Sequence, residues 1–414
     1  MPPSRSRTSR RRAFAIATAV FTLSFAGVGI TIDRRNDEAQ RRIEAHLERL
    51  RTEREARDFA RPAVWGQTLD GAAWPHYEEA LAIADRASER RQDFIAAQLV
   101  QASPEEAALR DELLAEFGDA LDHVRAGAHL RDATVELDWN RGVGMRIPKL
   151  SNTRTLYELA LLKLLVAGTV EEEIDAVRSL LDVQQLGRDL AHTPLLICEM
   201  IGLDALVVPA LSPHLAGALP GRISREAKEE WLAGLRVLEG AVEPGSVALS
   251  GELETFAQTF VTDRDALRGE GLGPIDSRLV RWREALFLRA EVAEHLELVS
   301  AAIPGIENAY ALPGEDAQVR LEAIRGSLDA AKNRITEAMS GAPRSAMFSR
   351  MSGRARLSFL RRALELHLGV AGEDPLDVYG TGVSVERSGG TVRIETSIPG
   401  ETGSGGVLEL TLGS

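Results

Sequence analysis

The 414-residue chain is 44% hydrophobic, 27% charged and only 5% aromatic, which excludes a disordered polymer and points to a core of Leu, Ala and Val packed helix on helix. Its net charge is −13, and its first twelve residues hold five arginines and no acid, so the remainder is more acidic still. That balance repels polyanions and excludes nucleic acid as an expected partner.

Residues 1–12 read as a basic cytoplasmic tail. Ala13 to Ile32 carries no charge over twenty residues, enough for a helix to cross a hydrocarbon layer of about 30 Å. This segment is predicted to be a single transmembrane anchor, making the membrane the first expected partner. Ser24-Phe25-Ala26 resembles a small-x-small cleavage site, so a signal peptide cut after Ala26 is the alternative. Arg11-Arg12-Ala13-Phe14 resembles part of a twin-arginine signal, without the usual Ser or Thr before the pair. Arginines 34, 35, 41 and 42 follow the span, so the charge asymmetry is small. A short basic tail before a first span usually stays inside, which places the large domain outside the cytoplasmic membrane.

Residues 33–60 are expected to form a polar helical stalk. Ile43, Leu47 and Leu50 make a narrow stripe on it, read as part of a solvated connector. Residues 61–371 are expected to form a helical domain. A helix should start near Trp74-Pro75, followed by a loop. Another should start at Ser103-Pro104-Glu105-Glu106 and run to about Arg125. The alternation Val135, Leu137, Trp139 and the glycines 142 and 144 predict a loop over the core.

The clearest unit is a helical hairpin from Thr155 to Leu219. Leu156, Leu159, Leu162 and Val166 form its first face, and Thr169 with Glu172 forms a capping box. Ile174, Val177, Leu181 and Leu186 form the next face. The hairpin is of tetratricopeptide size in places, without a sustained 34-residue period. The apolar region from Pro194 to Ala218 contains Glu199, Asp204, Pro209 and Pro213, and is read as a buried core helix rather than a second span. Further helices are predicted at 225–238, 251–267, 275–302, 318–338 and 345–368, with loops at Pro220-Gly221, Pro244-Gly245, Pro304-Gly305 and Pro313-Gly314. Glycine enrichment and alternation at Val383, Val385, Val392, Ile394 and 407–412 predict a small antiparallel β-meander in 372–414. The expected fold is therefore mainly α: an irregular helical-hairpin array with one N-terminal transmembrane helix and a C-terminal meander.

No residue stands out as a catalytic, cofactor-binding or metal-binding candidate. Cys198 lies in an apolar run and is expected to be a buried, inert thiol. The eight histidines show no metal-ligand spacing, and each is read as exposed or satisfied. Gly269-Glu270-Gly271-Leu272-Gly273 follows a predicted helix rather than a strand, so it lacks a dinucleotide-binding context. The acidic pairs at Glu105-Glu106 and Glu171-Glu172-Glu173 sit at helix starts, where carboxylates favour the dipole. No cofactor is expected.

Ile147-Pro148-Lys149-Leu150 with Arg154, the stretch Leu190-Ala191-His192-Thr193-Pro194-Leu195-Leu196-Ile197, and Gly66-Gln67-Thr68 through Trp74-Pro75-His76-Tyr77 with Ala80 resemble a group of bacterial envelope proteins. Members of that group have one N-terminal anchor, an all-helical domain and no assigned chemistry. Asp374-Pro375-Leu376-Asp377-Val378-Tyr379-Gly380 resembles the C-terminal β region of secretion pseudopilins, with Tyr and Gly in a different order. The resemblance implies an anchor and a fold, and no activity. The leading expectation is a membrane-anchored extracytoplasmic helical interaction or assembly module with an unknown protein partner. The alternatives are an envelope hydrolase using unidentified carboxylates, and a secretion-associated component.

Overall fold

The computed structural model describes residues 34–57, 61, 63–97, 103–147, 150–211, 222–240, 246–262, 278–310, 312, 314–333, 335–336, 357–358, 360–372, 384–388, 391–399 and 405–411. The fold they form is mainly helical. The predicted anchor at 13–32, the Gly269–Gly273 run, the 345–356 part of the last predicted helix and the Asp374–Gly380 segment lie outside the described residues. Among the described residues no helix is long and apolar enough to cross a membrane.

Residues 34–55 form helix α1. The solvated-stalk expectation is corrected here. Ala39, Ile43, Leu47 and Leu50 are buried, in one cluster with Leu253, Ala257, Phe260, Leu288, Val292, Leu296 and Ile335. The stripe is narrow because it fills a seam between two later helices. Two forked arginine–carboxylate pairs flank it: Arg42 with Glu297, and Arg54 with Glu254 at 2.9 and 3.1 Å. The Arg54 guanidinium also lies 4.7 Å from the centre of the Trp139 ring.

Strand β1 (Leu69–Ala72) leads into α2 (Trp74–Ser88), which starts where predicted, with proline in its first turn. The expected loop after α2 contains a short helix, α3 (Arg91–Ala97), ordered by burial of Phe94 and Ala97. Helix α4 (Pro104–Phe117) has the predicted capping box between Ser103 and Glu106. It ends at Gly118, and α5 (Asp119–Ala128) follows as a separate helix. One helix to Arg125 was expected; it is interrupted at Gly118, where a side chain would collide with the Leu114 carbonyl oxygen, and Phe117 and Leu121 are both buried in the core. Strand β2 (Leu130–Asp132) pairs with β1 in parallel, a sheet the sequence pattern did not suggest. The predicted loop follows as two short 3-10 turns, Trp139–Gly144 and Leu150–Asn152, and buries Met145 and Leu150.

Helices α6 (Thr153–Val166) and α7 (Val170–Ala191) form the hairpin. Thr169 and Glu172 cap α7 reciprocally, as their spacing predicts. Thr169→Ala should lower stability by about 1 kcal/mol in urea unfolding, because it strands one end-turn amide. Helix α8 (Leu196–Leu211) packs along α7. Gly202 sits at their crossing, where a side chain would collide with the backbone at Gly187 and Ala191. Helices α9 (Arg225–Gly240), α10 (Ser246–Thr262), α11 (Arg278–Tyr310) and α12 (Gly314–Ala330) follow.

Helix α11 runs straight through Pro304-Gly305, where a loop was expected. Proline removes one helical hydrogen bond, but continuing the helix buries Ile306 and Ala309 against Leu249, Ala317 and Leu321. Helix α12 begins at Gly314, inside another predicted loop. Residues 360–368 form α13, which buries Leu360, Ala363 and Leu364 in the main core. Three strands, β3 (Ser384–Ser388), β4 (Thr391–Pro399) and β5 (Gly405–Thr411), pair antiparallel in that order.

Candidate functional site

The most elaborate chemistry in the described residues lies on one face of α7. Asp175, Ser179, Asp182, Gln185 and Asp189 recur at helical spacing, and every residue from Ser179 to Ala191 is buried. This polar stripe therefore points into the protein, towards α2, α5, α6 and the chain segment that follows α1. Buried carboxylates require partners, and each has them.

Asp189 accepts four hydrogen bonds. Arg61 donates from Nε at 2.8 Å and also from Nη2, Tyr77 from its hydroxyl at 2.7 Å, and Gln185 from Nε2 at 2.7 Å. The same guanidinium donates to the Ala128 carbonyl at 2.7 Å and the Gly127 carbonyl at 3.4 Å. These are end-turn carbonyls of α5, where unpaired acceptors and the helix dipole both favour a cation. Burial works against the charged guanidinium, but Asp189 and Tyr77 outweigh it and leave Arg61 raised. Burial and then Asp189 push the Tyr77 hydroxyl well above its ordinary range, so it stays a donor.

Two turns away, Asp182 accepts from the Trp65 indole at 2.7 Å and from Arg125 Nε at 3.1 Å. The Nε2 atom of His129 lies 3.9 Å from its Oδ1. Burial lifts the Asp182 carboxyl to about 6, against the pull of Arg125, Trp65 and His129. Arg125 continues to Asp175 at 2.7 Å and to the Ser179 hydroxyl at 3.0 Å, and Lys163 reaches the same two residues. Burial would raise Asp175, but hydrogen bonds from Lys163 and Arg125 outweigh it and hold the carboxyl low. The Trp65 ring is held between Arg178 and Arg125, at 4.7 and 5.4 Å, with the His129 ring edge-on at 4.4 Å. Arg178 pairs in turn with Glu230 of α9 at 2.8 Å.

This arrangement joins distant segments and can hold a proton. Its serine, Ser179, receives hydrogen bonds from two cations and donates to the Asp175 carbonyl, with no base at its hydroxyl. Sequence reading singled out the apolar faces of α7 and missed the polar one. The 4-3-3-4 spacing from Asp175 to Asp189 was the available signal, but it reads equally well as a solvated face.

Other expectations fall on described residues. Cys198 is buried, and burial followed by Glu252 pushes its thiol up to about 12. Among the described residues no group of three or more His, Cys, Asp or Glu could hold a metal ion. A depression of about 250 Å³ on α1 is lined by Arg42, Ala45, His46 and Arg49, with Glu297 already paired to Arg42. Comparisons with protein families, with curated proteins and with solved structures find no match to this chain.

His295 is buried beside Phe256, with Nδ1 3.0 Å from the Thr336 hydroxyl. Burial lowers its pKa to about 4 from 6.5. Between those values the unfolded chain takes up a proton and the folded chain does not. Its contribution is therefore complete above pH 6.5 and falls as pH drops towards 4, by about 3 kcal/mol. His46 and His367 shift in the same direction, so the comparison of the unaltered protein with His295→Gln in urea titrations at several pH values isolates this residue. The variant should show a shallower loss on acidification.

Proposed function

We propose that the protein is a membrane-anchored, mainly helical interaction or assembly module of a bacterial envelope, with its body outside the cytoplasmic membrane. Segment 13–32 acts as the transmembrane helix, and β3–β5 act as a C-terminal meander closing the body. Two observations carry the reading. In the sequence the uncharged run ends at Ile32, two residues before α1. In the fold the apolar stripe of α1 is built into the core, so a membrane helix at 13–32 would be joined closely to the body. Such a join suits a body that is held in a fixed attitude at a membrane surface to receive a partner. Binding to a macromolecular partner uses such positional constraint, because pre-ordering reduces the entropy lost on association.

Cell fractionation tests the anchor. The full-length chain should stay with membranes through a high-salt wash and leave only in detergent. Crosslinking in whole cells, followed by detergent extraction and pull-down, should recover a defined protein. A full-length, unprocessed chain in the soluble fraction would defeat the reading, as would crosslinked products no different from those of a mock-tagged strain.

A further inference from the structure

We infer that the groove between α10 and α11 is a helix-docking site, filled by α1 of the same copy and open to exchange with α1 of a second copy. The argument starts from how little of α1 is buried. Within 34–57 only Ala39, Ile43, Leu47 and Leu50 are buried, one stripe at spacings of four, four and three. Helix α7, by contrast, is buried at every residue from Ser179 to Ala191. Each wall of the groove is a single stripe too. Leu253, Ala257 and Phe260 form the α10 wall, and Leu288, Val292 and Leu296 form the α11 wall. One apolar stripe laid in a cleft between two helices is the way an amphipathic helix from a separate chain binds.

The rim fixes how that helix lies. Arg42 forks onto Glu297 of α11, and Arg54 forks onto Glu254 of α10 at 2.9 and 3.1 Å. The two arginines stand twelve positions apart, about 18 Å along a helix, with one directed to each wall. The groove therefore selects an amphipathic helix with that stripe and two cations at that separation. A second copy of the chain carries this helix, so exchange of α1 between copies fills both grooves with the sequence that fits them. None of the four stripe residues belongs to the main core cluster, so lifting α1 leaves that core closed. Direct attachment keeps α1 at a high effective concentration, so the internal helix dominates. The contacts of α1 carry this inference, which gives the interaction module a docking surface but stands apart from the anchor and its fractionation test.

A fluorescent peptide of residues 34–57, standing for α1 of a second copy, tests the site on the full chain in detergent. The double variant Ile43→Asp with Leu47→Asp evicts α1 and should bind the peptide saturably in fluorescence anisotropy. Binding should be at least about tenfold tighter than to the unaltered protein, whose own α1 competes. A peptide carrying Ile43→Asp should not bind. Equal affinity for the double variant and the unaltered protein overturns the inference, as does binding to neither, or binding that survives Ile43→Asp in the peptide. Amide hydrogen exchange on the unaltered protein decides the matter even if the double variant folds poorly. Amides from Ile43 to Leu50 should exchange about tenfold or more faster than those from Ser179 to Asp189, because α1 lifts without opening the main core. Equal protection of the two stretches overturns the inference.

Discussion

Replacing Arg61 with alanine should cost about 3–5 kcal/mol of folding stability, the penalty for breaking a buried ion pair from one side. The substitution removes two of the four donors to Asp189 and leaves that carboxylate charged in a site where it is 1% exposed. It also uncaps the Ala128 and Gly127 carbonyls at the end of α5. Asp189→Ala should cost a similar amount, because it leaves the guanidinium buried without its counter-charge. The double variant Arg61→Ala with Asp189→Ala should lose clearly less than the sum of the two single losses, since neither member of the pair is left without the other. Equilibrium urea unfolding in detergent, followed by far-ultraviolet circular dichroism, measures all three. Nearly additive losses in the double variant would show that the pair contributes little.

Phe260→Ala is the second large effect, about 3–5 kcal/mol by the cost of truncating a buried aromatic. Phe260 is fully buried on α10, in the cluster that also holds Ile43, Leu47 and Leu50 of α1 and Leu288, Val292 and Leu296 of α11. The cavity should open where three helices meet, so α1 should loosen first. Limited proteolysis should then cut within 34–60 at protease levels that leave the unaltered protein intact. Truncating an exposed apolar residue such as Val319, 64% exposed, should change stability by less than about 0.5 kcal/mol.

The parts of this fold that were legible in the sequence are those set by local chemistry. Ser103 with Glu106 and Thr169 with Glu172 announce helix starts because the bonds that cap them span three residues. The apolar faces of α6 and α7 are legible for the same reason. What escaped depends on partners far along the chain. Arg61 meets Asp189 across 128 residues, and Arg54 meets Glu254 across 200. Nothing near residue 43 says that its stripe faces residues 253 to 296 rather than water. Pro304 was read as a breaker because its local cost is visible, whereas the burial of Ile306 and Ala309 that offsets it is not. The candidate site was hidden in the same way: a polar stripe on α7 looks solvated until α2, α5 and α6 close over it.

The central claim is that α1 belongs to the body, so that whatever holds the amino end also holds the helical domain in one attitude. A distance distribution between spin labels on the full chain in lipid nanodiscs tests it most directly. Labels would go on Glu48→Cys in α1 and Asp122→Cys in α5, both exposed positions, with Cys198 buried and out of reach of the reagent. One narrow distance is expected, and it should broaden in Phe260→Ala. A broad distribution in the otherwise unaltered protein would mean that α1 swings free, and the account would be wrong.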